Sequence, residues 1–261
     1  MYNKVAILGC ARDIARYLHN SMNTIKTISE IFEDYRVYIY ENDSQDETHK
    51  ILFEYRKKDP KIRVFSQRFL TGRYRHRTWR LGYVREELKK QLIKDKFLPD
   101  YVIVLDLDDV GQNSISAKNF INKSLKLENY WDGIFPHPTY DNWAYRTHNC
   151  KYNYWEVINY FSKYIPSFKK DKYLKFLGER KDLIPDNNGL CRVISSFNGI
   201  AMYKYNIYIN GKYSGVNNFF TMIKDIDLRS KIMPEECEHV NFHYSLGTKC
   251  KLMILYKYMY V

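Results

Sequence analysis

The segment YVIVLDLDD at residues 101–109 constrains the fold of this chain more than any other. Residues 102–105 are apolar and mostly β-branched, which predicts a strand buried on both faces of a sheet. Asp106, Asp108 and Asp109 follow at its carboxyl end, where open α/β sheets bind ligands. Carboxylates there cost free energy unless a cation or solvent compensates them. The segment therefore predicts a site for a divalent cation with a bound diphosphate, with a solvated turn as the alternative.

Strands and helices alternate along the first hundred residues. We predict strands at 5–9, 37–41 and 62–66, and helices at 14–32, from a Ser44–Glu47 capping box onward, and from about Thr78 to Leu92. This alternation predicts a doubly wound, Rossmann-like sheet with mainly parallel strands.

After Asp109 the pattern becomes mixed. We predict helices at 114–125 and 152–165, strands at 131–138, 193–203 and 251–256, a polar surface loop at 166–192, and no clear helix in VNFHYSL at 240–246. The fold class expected from these elements is α/β, with a mostly parallel sheet flanked by helices. We predict a single domain over 1–261, with a nucleotide-binding half at 1–109 and a mixed half at 110–261.

Composition limits the location and the partners of the protein. The chain has 261 residues, of which 45% are hydrophobic and 28% charged, as in soluble globular proteins. No apolar run reaches the length of about 18 residues that predicts a membrane span. The start, MYNKVAILGC, is followed by Arg12 and Asp13 and reads as a strand, not as a signal peptide. Five widely spaced cysteines without a Cys-x-x-Cys pair predict reduced thiols and a cytoplasmic location.

The net charge of +12, together with 25 Tyr and 14 Phe, raises nucleic-acid binding as an alternative. The basic residues are spread through the chain, however, apart from RYRHRTWR at 73–80, and no recognisable nucleic-acid module is present. We therefore predict general affinity for polyanions and no dedicated nucleic-acid function.

Several motifs resemble those of GT-A glycosyltransferases. VYIYENDSQDET resembles their second-strand motif, whose acidic loop recognises the nucleoside, and VIVLDLDDV resembles their Asp-x-Asp strand. RTWRLGYVREEL, LDDV, YDNWAYR, SSFNGIAMYK and CEHVNFH, in this order, resemble fungal capsule-associated α-1,3-mannosyltransferases and related bacterial and viral glycosyltransferases. The likeness covers roughly residues 2–255. It departs at Arg85-Glu86, where those proteins usually carry Arg-Asn, and in the short aromatic tail.

The resemblance implies a nucleotide-sugar donor, with UDP or GDP, and transfer to a hydroxyl of a glycan or protein acceptor in microbial or viral glycan synthesis. It also implies Mn²⁺ or Mg²⁺, which stabilises the charge that develops on a leaving diphosphate. Asp106 and Asp108 are the expected metal ligands, with Asp109 as a ligand or as a residue that orients one. His243 is a candidate third ligand. Glu238 and His239 are the expected catalytic residues beside the acceptor, although base and metal roles cannot be separated from sequence.

Further residues are expected to bind the nucleotide sugar. Glu41 and Asp43 follow the second predicted strand, where carboxylates can accept a hydrogen bond from a base or ribose; turn and capping chemistry is the alternative. Arg12 follows the first strand, at a helix N-terminus suited to phosphate. Arg77 and Arg80 share a helical face, which the resemblance places near the diphosphate. For these arginines the alternative is an ordinary solvated basic surface.

Residues of the later motifs are expected to line the donor-sugar and acceptor cleft. These are Asp141, Asn198 and Gly199, with the aromatic residues Tyr140 and Trp143 beside them, for which a place in the core is the alternative. Cys237, His239 and His243 also have the spacing of a zinc site, but no fourth ligand is evident nearby. A metal-dependent nucleotidyltransferase and a non-catalytic glycan- or polyanion-binding module are the alternative functions.

Overall fold

The computed structural model of the chain describes residues 2–109, 113–139, 141–148, 183–218, 222 and 233–258. The predicted helix at 152–165, most of the predicted loop at 166–192, and Tyr140 lie outside the described residues. No helix within the described ranges combines the length and the apolar character that crossing a bilayer requires.

Eight strands within the described part of the chain form one mixed sheet. They are β1 (Tyr2–Ala11), β2 (Phe32–Asn42), β3 (Ile62–Gln67), β4 (Tyr101–Leu105), β5 (Gly133–Phe135), β6 (Leu190–Arg192), β7 (Ile200–Lys204) and β8 (Leu252–Leu255), in the order β3-β2-β1-β4-β7-β5-β8-β6. The first four strands pair in parallel. Strand β7 is antiparallel to both β4 and β5. Strands from both predicted halves therefore share this sheet, while the division of the domain into a nucleotide half and an acceptor half remains a prediction.

Helices cover both faces of the sheet. The described helices are α1 (Ala15–Ser29), α2 (Thr48–Lys58), α3 (Leu70–Arg73), α4 (Arg77–Lys94), α5 (Ser114–Lys126), α6 (Tyr205–Tyr208) and α7 (Glu238–Leu246), with a 3₁₀ turn at Glu128–Tyr130. Successive strand residues face opposite sides, so Ile103 packs with α1 and α5 while Val102 and Val104 pack with α4 and α7. This confirms the prediction that β4 is buried on both faces. It also confirms the α/β fold class.

The strand order defines where a ligand can enter. The chain continues from β1 to β2 on one side, whereas β4 pairs with β1 on the other side. Such a switch point opens a crevice beyond the carboxyl ends of the two central strands. Arg12 follows β1 and Asp106 follows β4, so a cationic and an anionic side chain flank the crevice.

Several local predictions differ from the structure near the first two helices. Helix α1 ends at Ser29, and Phe32 already begins β2. The predicted Ser44–Glu47 capping box is absent from this described segment. The Ser44 hydroxyl instead accepts a hydrogen bond from the backbone N–H of Asp13 at 3.2 Å. Helix α2 begins at Thr48, whose N–H donates to Asp46 Oδ1 at 2.9 Å.

Three later predictions also need correction. The strand expected at 193–203 begins only at Ile200, because Gly199 has a φ of +82° and interrupts the extended backbone. Residues 190–192, expected in a surface loop, form β6 against β8. The segment at 240–246 is helical, as part of α7.

A backbone-to-backbone contact fixes the start of α4. A Cβ atom at Gly215 would lie 2.0 Å from the carbonyl oxygen of Thr78, and the Thr78 hydroxyl donates to the Gly215 carbonyl at 3.1 Å. The single proton of this hydroxyl is shared with Glu235 Oε2, which lies 2.7 Å away. The first turn of α4, which carries Arg77 and Arg80, is therefore positioned by residues far along the chain.

We expect Gly215→Ala to lower the free energy of unfolding by about 1–3 kcal/mol, because the new methyl group forces the two backbones apart. Gly72→Ala is the matched control: a Cβ there meets nothing within 4 Å, and a helical Ala is favoured over Gly by roughly 0.5–1 kcal/mol. Urea unfolding of both variants measures the difference. Equal stability of the two variants would contradict close packing at Gly215.

Candidate active site

A cavity of about 660 Å³ lies beyond the carboxyl ends of β1 and β4, and α4 and α7 contribute to its walls. The predicted site residues that line it are Arg12, Arg77, Arg80, Asp106, Asp108, Asp109, Asp141, Glu238 and His239. The structure thus brings together residues from five separate stretches of sequence. Arg85, Trp143 and Phe197 line the same cavity.

Asp106 is held at the edge of the sheet by its own backbone and by its side chain. Its N–H donates to the carbonyl of Gly199 at 2.8 Å, and its Oδ1 accepts from Arg85 Nη2 at 3.1 Å. Burial raises the pKa of Asp106 to about 7; the charge of Arg85 lowers it, and the neighbouring Asp108 raises it. The positive charge of Arg85 therefore does not fully offset the burial of this carboxylate.

The donor set fits a cation that shares its ligands with a substrate. Within the described ranges, no three His, Cys, Asp or Glu side chains are arranged to hold a metal ion. Mg²⁺-type ions, however, need only one or two carboxylates when phosphate oxygens and water complete the shell. Asp106 and Asp108 offer those carboxylates in the cavity, and a cation there would offset the burial, and then the charge of Asp108, that raise the pKa of Asp106. Asp109 is exposed at the same edge.

Arg85 connects the two acidic parts of the site. Its Nη2 contacts Asp106, and its Nε donates to Glu238 Oε1 at 3.0 Å, while only 5% of its side chain is exposed. From the sequence, Arg85 was noted only as the first residue of the Arg85-Glu86 pair, which departs from the usual Arg-Asn. The available signal was its position eight residues after Arg77, which is two turns along the same helical face.

Glu238 and His239 begin α7 and face the cavity. The His239 ring stacks on Phe197, with ring centroids 3.8 Å apart and planes 12° apart. Both ring nitrogens of His239 are buried and have no hydrogen-bond partner among the described residues. Burial, and then the charge of Arg85, hold the pKa of His239 well below its usual value, so the ring is neutral. A buried polar group without a partner costs about 1–3 kcal/mol, which a bound hydroxyl would offset.

Three arginines besides Arg85 line the same cavity as the carboxylates. Arg12 follows β1, Arg77 is the first residue of α4, and Arg80 lies one turn further on. Arg80 Nη1 donates to the carbonyl of Tyr74 at 2.7 Å, which fixes the side chain. Burial, and then the nearby Arg12, lower the pKa of Arg80. Cationic groups that crowd one another in this way are suited to an anionic ligand such as a diphosphate.

Asn198 and Gly199 were predicted to line the cleft but instead form hydrogen bonds with backbone groups. Asn198 is fully buried, and its side-chain amide bonds the backbone of Thr139 at 3.2 Å and the carbonyl of His137 at 3.2 Å. Gly199 supplies the carbonyl that holds Asp106. Neither residue is among those that line the cavity. The predicted sugar contacts of Asn198 and Gly199 are therefore not supported, because both shape the loop behind the site.

The acidic loop after β2 is mostly occupied by its own hydrogen bonds. Glu41 is fully buried and accepts from the N–H of Ser44 at 2.9 Å and from the hydroxyl of Ser66 at 2.5 Å. This geometry favours turn chemistry over nucleoside contact at Glu41. Asp43 accepts from Thr71 and lines an adjoining cavity of about 420 Å³ that Arg12 also lines. Burial raises the pKa of Asp43, but these hydrogen bonds outweigh it and the pKa is lowered.

Asp141 is the remaining acidic residue among the predicted sugar-binding residues. It caps a turn by accepting from the N–H of Trp143 at 3.1 Å, and burial raises its pKa to about 6.

His243 is not available as a metal ligand. Its Nδ1 lies 2.8 Å from Ser195 Oγ, and its Nε2 lies 2.8 Å from the Tyr203 hydroxyl. Both nitrogens are therefore engaged, only 2% of the residue is exposed, and it does not line the main cavity. This contradicts the predicted third metal ligand and also the zinc alternative that needed His243.

We expect His243→Phe to lower the free energy of unfolding by about 1–3 kcal/mol, because Ser195 and Tyr203 lose their buried partner. Burial lowers the pKa of His243 to about 3, whereas an unfolded histidine titrates near 6.5. The unfolded state therefore binds more protons between these values, and stability falls as the pH decreases from about 6.5 towards 3. The variant should lose this contribution and show a shallower acid dependence in urea unfolding. An unchanged pH dependence would contradict the buried neutral ring.

The chain matches one protein family and is distantly similar to several solved structures. Residues 7–192 match the family described as Glycosyl transferase family 2. No curated protein matches the chain. Among solved structures, S. aureus TarS in complex with UDP-GlcNAc is 12% identical with a TM-score of 0.47, over 97% of this chain and 56% of that one. The mannosyltransferase PcManGT from Pyrobaculum calidifontis, in complex with GDP-Man and Mn²⁺, is 8% identical with a TM-score of 0.49, over 96% of this chain and 56% of that one.

A third similar structure is glucosyl-3-phosphoglycerate synthase from Mycobacterium tuberculosis in complex with Mn²⁺, UDP and phosphoglyceric acid. It is 11% identical with a TM-score of 0.42, over 78% of this chain and 57% of that one. The chain thus spans little more than half the length of these proteins. The family match is more informative, since residues 7–192 are more than half of the chain and contain the central strands and the Asp106 edge. The chain belongs to glycosyl transferase family 2.

Proposed function

We propose that the protein transfers a sugar from a UDP- or GDP-linked donor to a hydroxyl of a glycan or protein acceptor, with Mn²⁺ or Mg²⁺ as cofactor. The observation that carries this proposal is that Asp106 and Asp108 line the same cavity as Arg77 and Arg80. A nucleotide sugar leaves as a diphosphate, which needs both kinds of group: carboxylates to hold a cation and arginines to bind its oxygens.

The donor half of the reaction uses the β1, β4 and α4 side of the cavity. Asp106 and Asp108 would hold the metal ion, which supplies positive charge to the leaving diphosphate. Arg77 and Arg80 bind the diphosphate oxygens, and Arg12 lies between this cavity and the adjoining one lined by Asp43. This arrangement supports nucleoside contact at Asp43 and argues against it at Glu41.

The acceptor half uses the start of α7. His239 is neutral, buried and without a hydrogen-bond partner among the described residues, so it orients the acceptor hydroxyl. Glu238, whose carboxylate is fixed by Arg85, accepts the proton as that hydroxyl attacks. Asp141 and Trp143 line the same cavity and contact the sugars.

The resemblance to capsule-associated α-1,3-mannosyltransferases supports a role in microbial or viral glycan synthesis. It leaves the nucleotide and the sugar to experiment. A nucleotidyltransferase would use the same cation and arginines but would consume a nucleoside triphosphate and release pyrophosphate. A cytoplasmic location remains a prediction from the cysteine pattern.

A panel of UDP- and GDP-sugars with Mn²⁺ tests the proposal, read as thermal shift and as slow donor hydrolysis. A bound donor at about a hundredfold excess over its dissociation constant stabilises the protein by roughly 2.7 kcal/mol. We expect at least one donor to stabilise the wild type and to be hydrolysed. Asp132→Asn, outside the cavity lining, should respond like the wild type. Absence of binding to every sugar nucleotide, or pyrophosphate release from a nucleoside triphosphate, would contradict the proposal.

A further inference from the structure

We propose that Arg85 is a positioning residue that couples the donor edge of the site, at Asp106, to the acceptor carboxylate of Glu238. The inference rests on the proposed function, because that function gives the two carboxylates their separate tasks. The geometry that carries it is one buried guanidinium whose separate nitrogens contact both carboxylates, at 3.1 Å and 3.0 Å.

The three residues come from different parts of the chain and meet only in the fold. Arg85 lies on α4, Asp106 directly follows β4, and Glu238 begins α7. The Arg85 guanidinium also lies 5.4 Å from the centroid of the Phe197 ring, which stacks on His239. One side chain thus contacts the metal edge, the proposed base and the ring that supports His239.

The chemistry of the contact requires arginine. A guanidinium is a rigid planar fork that donates in several fixed directions, whereas a lysine ammonium is a compact point charge. Lysine at residue 85 keeps the charge but lacks the separate nitrogens with which Arg85 holds the two carboxylates in one geometry. Removing the charge altogether leaves buried carboxylates uncompensated, which destabilises a protein strongly.

Binding at one carboxylate should change the contact at the other. A cation–nucleotide complex at Asp106 competes with Arg85 for that carboxylate, so the guanidinium interacts more strongly with Glu238. The start of α7 is then held more firmly when the donor is bound. Because such coupling is reciprocal, a more firmly held Glu238 also favours the donor-bound state.

The first test measures amide hydrogen exchange of residues 238–246 with and without UDP–Mn²⁺ and GDP–Mn²⁺. In the wild type, the nucleotide that binds should slow this exchange. In Arg85→Lys the same nucleotide should still raise the melting temperature, but the slower exchange at 238–246 should be lost. Lys90→Gln, an exposed change on α4 that removes a pair with Glu87, is the control and should behave as the wild type. Slowing of exchange in Arg85→Lys equal to that in the wild type would overturn the proposal.

Kinetics give a second readout. Misplacing a reacting group by about 1 Å costs on the order of 10²-fold in rate, so Arg85→Lys should lower kcat by about that factor, with a much smaller rise in the donor KM. Wild-type kcat in Arg85→Lys would overturn a positioning role. A fall in stability alone, with normal kcat in the folded fraction, would do so as well.

A ligand-free cycle separates this inference from the proposed function. Asp106→Asn and Glu238→Gln, alone and combined, are compared by urea unfolding in Arg85 and Arg85→Lys backgrounds. If both carboxylates share one guanidinium, the effects of Asp106→Asn and Glu238→Gln on the free energy of unfolding should be non-additive in the Arg85 background. In the Arg85→Lys background they should be additive. Additivity in both backgrounds would overturn the coupling. Failure of both nucleotides to bind the wild type would overturn the proposed function instead, and this cycle would still decide whether Arg85 couples the two carboxylates.

Discussion

Asp108→Asn should lower transferase activity by about 10²–10³-fold, because it removes a charge that holds the cation against the leaving diphosphate. The substitution keeps the size of the side chain, and the apolar strand β4 before it is buried, so the fold should be retained. Without a cation, the diphosphate is neutralised only by the arginines that line the cavity. The measurement is initial rate against Mn²⁺ concentration for wild type and variant, with the donor that the panel identifies.

Chelation and a graded comparison sharpen this prediction. EDTA should reproduce the loss in the wild type, and added Mn²⁺ or Mg²⁺ should restore it there but only weakly in Asp108→Asn. Asp109→Asn is the comparator, since Asp109 is exposed at the same edge; a smaller loss would assign it an orienting role instead of direct coordination. Full transferase activity in EDTA would show that the Asp-x-Asp segment holds no catalytic metal.

The central part of the fold and site follows from local sequence patterns. The apolar run before Asp106 is short and β-branched, which fixes both the strand and the edge at which its carboxylates lie. Helical spacing places Arg77 and Arg80 on one face, and both line the cavity. Adjacent acid and imidazole at Glu238 and His239 also lie in the cavity, although the sequence did not indicate the helix they begin.

The remaining features depend on contacts between distant residues. His243 has the spacing of a metal ligand, but its nitrogens are engaged by Ser195 and Tyr203, which precede it by 48 and 40 residues. Ser44 has the spacing of a helix cap, but its hydroxyl instead bonds the loop after β1, at Asp13. In each case a short-range pattern competed with a tertiary hydrogen bond that the pattern does not contain.

Arg85 is the opposite case, a residue whose contacts in the site no local sequence pattern indicated. Its immediate sequence offers only the altered Arg85-Glu86 pair and the spacing from Arg77, neither of which indicates a contact with Asp106 or Glu238. Its importance arises because α4 and α7 pack on the same face of the sheet, which brings Glu238 and the end of β4 to one guanidinium. A charged residue on the buried side of an otherwise apolar helix face is the signal that sequence reasoning could use, since such residues are rarely buried without partners.

Glu238→Gln should reduce turnover by about 10²–10⁴-fold, the range expected when a positioned proton acceptor is removed. Glutamine keeps the shape of the side chain and can still accept from Arg85 Nε, so the start of α7 should remain in place while the carboxylate is lost. Donor affinity, measured by calorimetry, should change far less than turnover, because Asp106, Asp108 and the arginines proposed to bind the donor are all retained. The prediction therefore separates a role in chemistry from a role in binding.

The chain offers a matched control for this change two residues earlier. Glu236 pairs with Arg146 at 3.0 Å and does not line the cavity, so Glu236→Gln tests the loss of a nearby, partly buried charge without touching the reaction centre. It should keep wild-type turnover in the folded protein. His239→Ala should lose turnover less steeply than Glu238→Gln, since a neutral ring that orients a hydroxyl does not take up its proton. Wild-type turnover in both Glu238→Gln and His239→Ala would remove the pair from the mechanism and leave Asp141, another carboxylate that lines the cavity, as the candidate base.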